Sequence, residues 1–268
     1  MTALSPDFEA ALQARLRYYR DLGVYNLYRR CDPDPSLEIL AITDINYESE
    51  PAISARKSAP ESLLAGPPSA AAPASDRAAA LEQIRADIGD CTRCPLATQG
   101  RHMIVFADGD PNARLMFVGE GPGADEDVQG VPFVGRAGQL LNNMINAMGL
   151  QRSEVYIANV VKCRPPQNRT PEPAEANTCM QFLWRQIDVV SPQIIVALGA
   201  TAATYLLGGK ASLASLRGRI HQVREAQLII TYHPAYLLRD PRQKAEAWKD
   251  LQMAMRELGL KPPKPTKS

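Results

Sequence analysis

No apolar run in the 268 residues approaches the roughly 20 needed to cross a bilayer; the longest are short and flanked by charge. Membrane-spanning helices are therefore not expected. The first seven residues, Met1-Thr2-Ala3-Leu4-Ser5-Pro6-Asp7, lack the basic start and apolar stretch of a secretory leader, so the expected compartment is the cytoplasm. Charge of one sign is lacking too: 30 Lys and Arg against 29 Asp and Glu leave a net +1, which points neither toward nucleic acid nor away from it. Internal repeats are absent. Histidine is scarce, with three in the chain, and cysteine is limited to five. In a reducing compartment disulfides are disfavoured, so clustered cysteines there point to metal.

What is present is unevenly placed. Apolar residues make up 45 %, enough for a core. Residues 1–90 hold 9 Lys/Arg against 14 Asp/Glu (−5), and residues 91–268 hold 21 against 15 (+6). The later part has the mildly basic balance of a DNA-binding domain, although many domains with that balance bind no DNA. Residues 8–30 read as a helix and 37–47 as a short strand, giving an N-terminal helical extension over 1–48. Residues 49–76 are rich in Ala, Pro and Ser, a composition that builds no core and reads as a flexible linker. The main domain is expected over 77–259, with a disordered tail at 260–268.

Within that domain apolar runs alternate with helical patterns. Strands are expected at Leu115-Met116-Phe117-Val118, at 155–161, at Ile194–Leu198 and at Leu228–Thr231, with helices at 136–148, 173–190, 200–207 and 242–257. Continuous apolar strands between helices imply a parallel sheet covered on both faces: an α/β fold, three αβα layers around four parallel strands. Sites in such folds lie at the carboxyl ends of strands.

Cys91 and Cys94 form a two-residue-spaced pair after a helix; Cys163 closes the second strand and Cys179 lies in the next helix. Four thiolates hold either zinc or an iron–sulfur cluster, and spacing alone does not choose. Cys31 lies beyond the linker and reads as a free thiol.

The strand ends carry the other chemistry. The first runs into Gly119-Glu120-Gly121-Pro122-Gly123, with Asp125-Glu126-Asp127 and then Pro132-Phe133-Val134-Gly135. Glycines let backbone approach a ligand closely, and Phe133 either stacks on a flat ligand or anchors the loop on the core. The second delivers Asn159, whose amide offers a donor and an acceptor, before Lys162, Arg164, Asn168 and Arg169. The fourth runs into His233-Pro234-Ala235-Tyr236-Leu237-Leu238-Arg239. A lone histidine is usually structural, but one at a strand end, fixed by a following proline, suits catalysis. Leu237-Leu238 on a loop either insert into something, a base stack for example, or cap the last helix.

Together these segments, over roughly residues 78–258, resemble the family 4 uracil-DNA glycosylases, the iron–sulfur branch of the uracil glycosylase superfamily. The resemblance rests on Cys91-x-x-Cys94, Gly119–Gly123 with Glu126-Asp127, Gly130–Gly135, Asn159–Pro166 with Asn168-Arg169, Cys179, and His233–Arg239. It implies a [4Fe–4S] cluster on Cys91, Cys94, Cys163 and Cys179. It implies excision of uracil from single- or double-stranded DNA by base flipping, leaving an abasic site. Phe133 would stack on the base, and Asn159 would read its polar edge. Glu120 and Gly121 would floor the pocket, and His233 would donate to the uracil O2. Glu126 and Asn168 are the expected water-positioning pair. Leu237 would fill the gap in the duplex, with Arg239 and Lys162 on phosphates. The superfamily also includes a member that holds uracil-DNA without turnover, marked by a basic, His-containing insertion; residues 164–178 here contain neither His nor Lys. A monomer is expected, and the N-terminal extension is a possible tether for a protein partner.

Overall fold

The computed structural model describes residues 74–209 and 211–261. The expected extension, nearly all of the linker, and the tail beyond Lys261 lie outside the described residues. The first helix, α1 (Ala74–Ile88), begins inside the last residues assigned to the linker, with Asp76 in its first turn, where a carboxylate complements the helix dipole.

Four central strands are parallel: β2 (Leu115–Gly119), β3 (Tyr156–Asn159), β4 (Ile194–Leu198) and β6 (Ala226–Thr231). Two antiparallel edge strands extend the expected four to six, β1 (Asp108–Gly109) and β5 (Ile220–Val223), in the order β1-β3-β2-β4-β6-β5. Neither edge strand carried an apolar signal: β1 has two residues, and β5 is mostly exposed. The β5–β6 hairpin turns on Arg224-Glu225, with Arg224 in the left-handed region at φ 52° and no Asn-Gly or Gly to mark the turn.

Side-chain alternation along each strand divides the core. Leu115 and Phe117 of β2, with Ile194, Val196 and Leu198 of β4, face α3 (Arg136–Ala147) and α8 (Lys244–Glu257), meeting Leu141, Ile145, Leu251 and Met255. Met116, Val118, Ile195 and Ala197 point the other way, onto α1, α4 (Pro173–Val190) and α5 (Ala200–Leu207), where they meet Ile84, Phe182, Leu183 and Leu206. The expected three layers result. Leu260 packs against the first of these clusters, and its N–H donates to Met255 O at 2.8 Å, so the ordered chain runs past the expected start of the tail.

From β2 the chain crosses to β3 on one side, then returns to place β4 on the other. The loops after β2 and β4 therefore diverge and open a crevice at the carboxyl ends of the strands, the usual ligand position in an open parallel sheet. Short elements wall it: α2 (Ala124–Gln129) and α7 (Pro234–Arg239). The remaining helix, α6 (Leu213–Leu216), precedes β5.

One close approach fixes a wall of the crevice. A Cβ on Gly138 in α3 would lie 1.9 Å from the carbonyl oxygen of Phe133. Gly138→Ala is therefore expected to destabilise the domain by about 1–3 kcal/mol, read as a lower denaturant midpoint at unchanged slope. An unaltered midpoint would mean that the Phe133 loop moves freely off α3.

Candidate active site

The crevice is a cleft of about 620 Å³, bordered by Glu120, Phe133, Asn159, Asn168, His233 and Arg239 among others. With Gly121 and Glu126, which also line it, eight of the site residues expected from the sequence meet at one place. Gly119 sits beneath them: a side chain there would strike both Asn159 Oδ1 (2.4 Å) and the Phe133 ring (2.5 Å). Backbone bonds from Val160 N–H to Gly119 O and from Val161 N–H to Glu120 O carry the β2–β3 pairing past the strand ends, holding Glu120 and Gly121 beside Asn159.

Phe133 is buried, with φ 54° in the left-handed region, a conformation that costs a non-glycine residue about 1–3 kcal/mol and persists only when its surroundings impose it. They do so from both sides. Glu126 takes the N–H groups of Val134 and Gly135 on Oε1 (2.9 and 3.0 Å) and that of Gly123 on Oε2 (3.1 Å). Arg152 donates to the carbonyls of Pro132 and Phe133 (2.6 and 3.1 Å) and pairs with Asp108 at 2.6 Å. Glu126 is therefore a loop clamp: three backbone donors occupy most of the acceptor capacity of its two oxygens, and the side chain still borders the cleft. Nothing in the sequence marked Arg152, which lies in a single 3₁₀ turn before β3.

His233 opens α7 as its N-cap. Its Nδ1 accepts the Ala235 N–H at 3.1 Å, so in the neutral ring the proton sits on Nε2. Burial, reinforced by the Arg239 guanidinium and only partly opposed by Glu126, pushes its pKa down to about 4. The ring lies 5.6 Å from that of Phe133. Across the cleft, Thr201 Oγ1 donates to the Glu120 carboxylate. Asn159 is buried, and its Oδ1 finds no partner among the described residues. A buried acceptor left unpaired costs about 1–3 kcal/mol, a cost that a ligand N–H would remove.

Asn168 borders the cleft at φ 55°, and its Oδ1 accepts from Arg164 Nε at 2.7 Å. Arg169 is held bidentately by the buried Glu175 at 2.7 and 2.8 Å. Arg136 and Arg239 are exposed at the rim.

Two side chains expected at DNA are buried in this structure. Lys162 is 1 % exposed, and its Nζ donates to Asn159 O (2.9 Å) and Gln186 Oε1 (2.6 Å). Leu237 is 1 % exposed because Pro234–Arg239 forms a helix and turns it inward, beside a small cavity that Leu140, Met144 and Trp248 also border. Leu238, one residue on, is exposed instead.

The four cysteines gather behind β3, near enough to raise one another's pKa values. Burial pushes Cys179 up to about 11 and raises Cys163 and Cys94 as well. N–H donors nonetheless point at sulfur: Arg93 at Cys91 (3.4 Å), Arg101 at Cys163 (3.5 Å) and the Lys162 amide at Cys179 (3.3 Å). Among the described residues no three His, Cys, Asp or Glu side chains close tightly on one metal ion.

Residues 106–252 match the model of the Uracil DNA glycosylase superfamily. A Type-4 uracil-DNA glycosylase of Thermotoga maritima is 47 % identical over 162 residues, 60 % of this chain and 84 % of that protein. Another, of Pyrobaculum aerophilum, is 43 % identical over 65 % of this chain and 92 % of its own length. A third, of Sulfurisphaera tokodaii, is 42 % identical over 68 % and 86 %. With the family model covering more than half of its length and such relatives matched over most of theirs, the chain belongs to the uracil-DNA glycosylase superfamily, among the type-4 enzymes.

Proposed function

We propose that this chain excises uracil from DNA, hydrolysing the N-glycosidic bond and leaving an abasic site. The observation that carries this reading is the pairing, across one cleft, of an unpartnered Asn159 acceptor with a neutral His233 whose Nε2–H is free to donate. Uracil presents N3–H and O4 on one edge and O2 beside the glycosidic bond. Asn159 Oδ1 accepts from N3–H while its NH₂ donates to O4; cytosine, with an unprotonated N3 and an amine at C4, mismatches both. Phe133 supplies the stacking wall once the base has left the helix. His233 Nε2–H donates to O2 as the departing ring gathers negative charge, a preorganised electrostatic contribution made without proton transfer. Glu120, held by Thr201, and the Gly121 backbone form the floor. Glu126 and Asn168, both bordering the cleft, are the side chains for orienting water. Arg239 and Arg136 suit phosphates at the rim, and Leu238 in place of Leu237 is the apolar side chain offered to the gap in the stack.

The four thiols, with cationic and amide N–H groups already aimed at their sulfurs, fit a [4Fe–4S] cluster, since hydrogen bonds to sulfur are part of how proteins hold such clusters. Cys91, Cys94, Cys163 and Cys179 would hold it. Its contribution would be structural, tying the segment after α1 to the loop after β3 and to α4. Cytoplasmic work, where thiols stay reduced, is consistent with this set; no helix among the described residues is long and apolar enough to cross a membrane.

The primary test is incubation with a labelled oligonucleotide holding one uracil, after recording the visible absorbance of fresh protein. Alkali-labile sites at uracil, formed over many turnovers, are expected. Protein that binds the oligonucleotide but leaves uracil in place would overturn the enzyme reading. His233→Ala is expected to lower kcat by about 10²–10³ while retaining DNA affinity; wild-type excision by that variant would remove the leaving-group role. Because His233 stays neutral down to about pH 4, the acid limb of the kcat profile should show no inflection near pH 6.5. The linked sign for stability is a loss as pH falls from 6.5 toward 4, where the unfolded chain protonates this histidine and the folded chain does not. Cys163→Ser should give pale, poorly soluble protein; brown, stable protein would remove Cys163 from the ligand set.

A further inference from the structure

Beside the proposed uracil pocket lies an aromatic column that none of these roles uses. Tyr232 and Tyr236 stack with ring centroids 5.1 Å apart and planes 23° from parallel. The Arg217 guanidinium carbon lies 4.0 Å from the Tyr232 centroid. Arg217 and Tyr236 thus both lie against the Tyr232 ring. Arg217 is itself fixed, its Nε donating to the buried Asp250 of α8 at 2.7 Å. The column thus runs from the interior, through a buried ion pair and one tyrosine, to a second tyrosine that borders the cleft.

The position of that last ring is informative. Tyr236 lies one helical turn past His233, and its N–H donates to His233 O at 2.9 Å. It precedes the exposed Leu238 and Arg239 on the same short helix. A cleft of about 620 Å³ is large for one pyrimidine ring and falls in the range of sites that hold drug-sized ligands. A half-buried tyrosine braced from behind on one face and bordering the cleft has the form of the rigid aromatic surfaces on which nucleobases stack. We propose that Tyr236 is a stacking platform for the nucleobase flanking the flipped uracil, held in orientation by Tyr232, Arg217 and Asp250. The inference rests on the glycosylase reading and adds a second base-binding position to it.

The test compares single-stranded oligonucleotides in which uracil has a normal neighbour, or a tetrahydrofuran abasic analogue on its 5′ or its 3′ side. Wild-type protein is expected to lose about tenfold in kcat/KM when one of the two neighbours is removed. Tyr236→Leu should lose a similar factor on the normal substrate, through KM with kcat retained, and nothing further on the abasic one. Tyr236→Phe, which keeps the ring, should behave as wild type. If Tyr236→Leu lowers all substrates by one factor, or acts through kcat, the ring only props His233 and the platform is wrong. Wild-type excision that ignores both neighbours also overturns it. A wild-type protein that excises from none of the substrates is instead the failure of the glycosylase reading, and removes the platform's ligand with it.

Discussion

The segment Pro132–Gly135 is gripped by an anion on its amide side and a cation on its carbonyl side, and the cleft depends on that grip. Glu126 collects the N–H groups of Val134 and Gly135, and Arg152 collects the carbonyls of Pro132 and Phe133. Hydrogen bonds to charged groups contribute about 1.5–3 kcal/mol each, ample to offset a left-handed Phe133 at about 1–3 kcal/mol. Removing either ion would leave the strain uncompensated and let the ring relax away from His233. Both ions are themselves anchored, Glu126 through Gly123 at the start of α2 and Arg152 through Asp108 on the edge strand. An edge strand of two residues thereby acquires a purpose that its length does not suggest.

A second buried charge performs the corresponding task on the opposite wall. Lys162 donates to the carbonyl of Asn159 and to Gln186, and Gln186 reaches on to the Tyr156 hydroxyl and Phe106 O. Burial pushes this lysine down to about 8, so the strand end that carries Asn159 is pinned by a group whose charge the interior barely tolerates. The same residue's backbone amide points at Cys179. Asn159 and Cys163 therefore share one short stretch of chain, Asn159–Cys163, in which every residue is buried.

Much of this was legible in one dimension because its physics is one-dimensional. Runs such as Ile194–Leu198 are apolar at every position since both faces of the sheet are covered, and the helices at 173–190 and 200–207 have the bounds their patterns implied. Gly119, Asn159 and His233 were visible as unusual residue types at strand ends. What escaped notice depends on direction. The sequence does not say which way a lysine beside a cysteine points, and Lys162 points inward. The segment after His233 was expected as a loop; it is a helix with Pro234 at its first position, which turns Leu237 to the core and Leu238 outward. That Glu126 also gathers loop amides was not legible, because its acceptors close on Val134 and Gly135 only after the chain turns back. Arg152 holds Phe133, Pro132 and Asp108 across 19, 20 and 44 residues, and Thr201 holds Glu120 across 81, separations at which no motif exists.

The hydrogen bond from the Ala235 amide to His233 Nδ1 has a consequence for the population of molecules. It fixes the tautomer by a bond inside a single helical turn, so no ligand has to arrive for the correct nitrogen to bear hydrogen. With the ring's pKa near 4, the wrongly charged fraction at neutral pH is on the order of one in a thousand. Under the proposed role of His233, nearly every copy would meet a flipped base with the Nε2 donor already set.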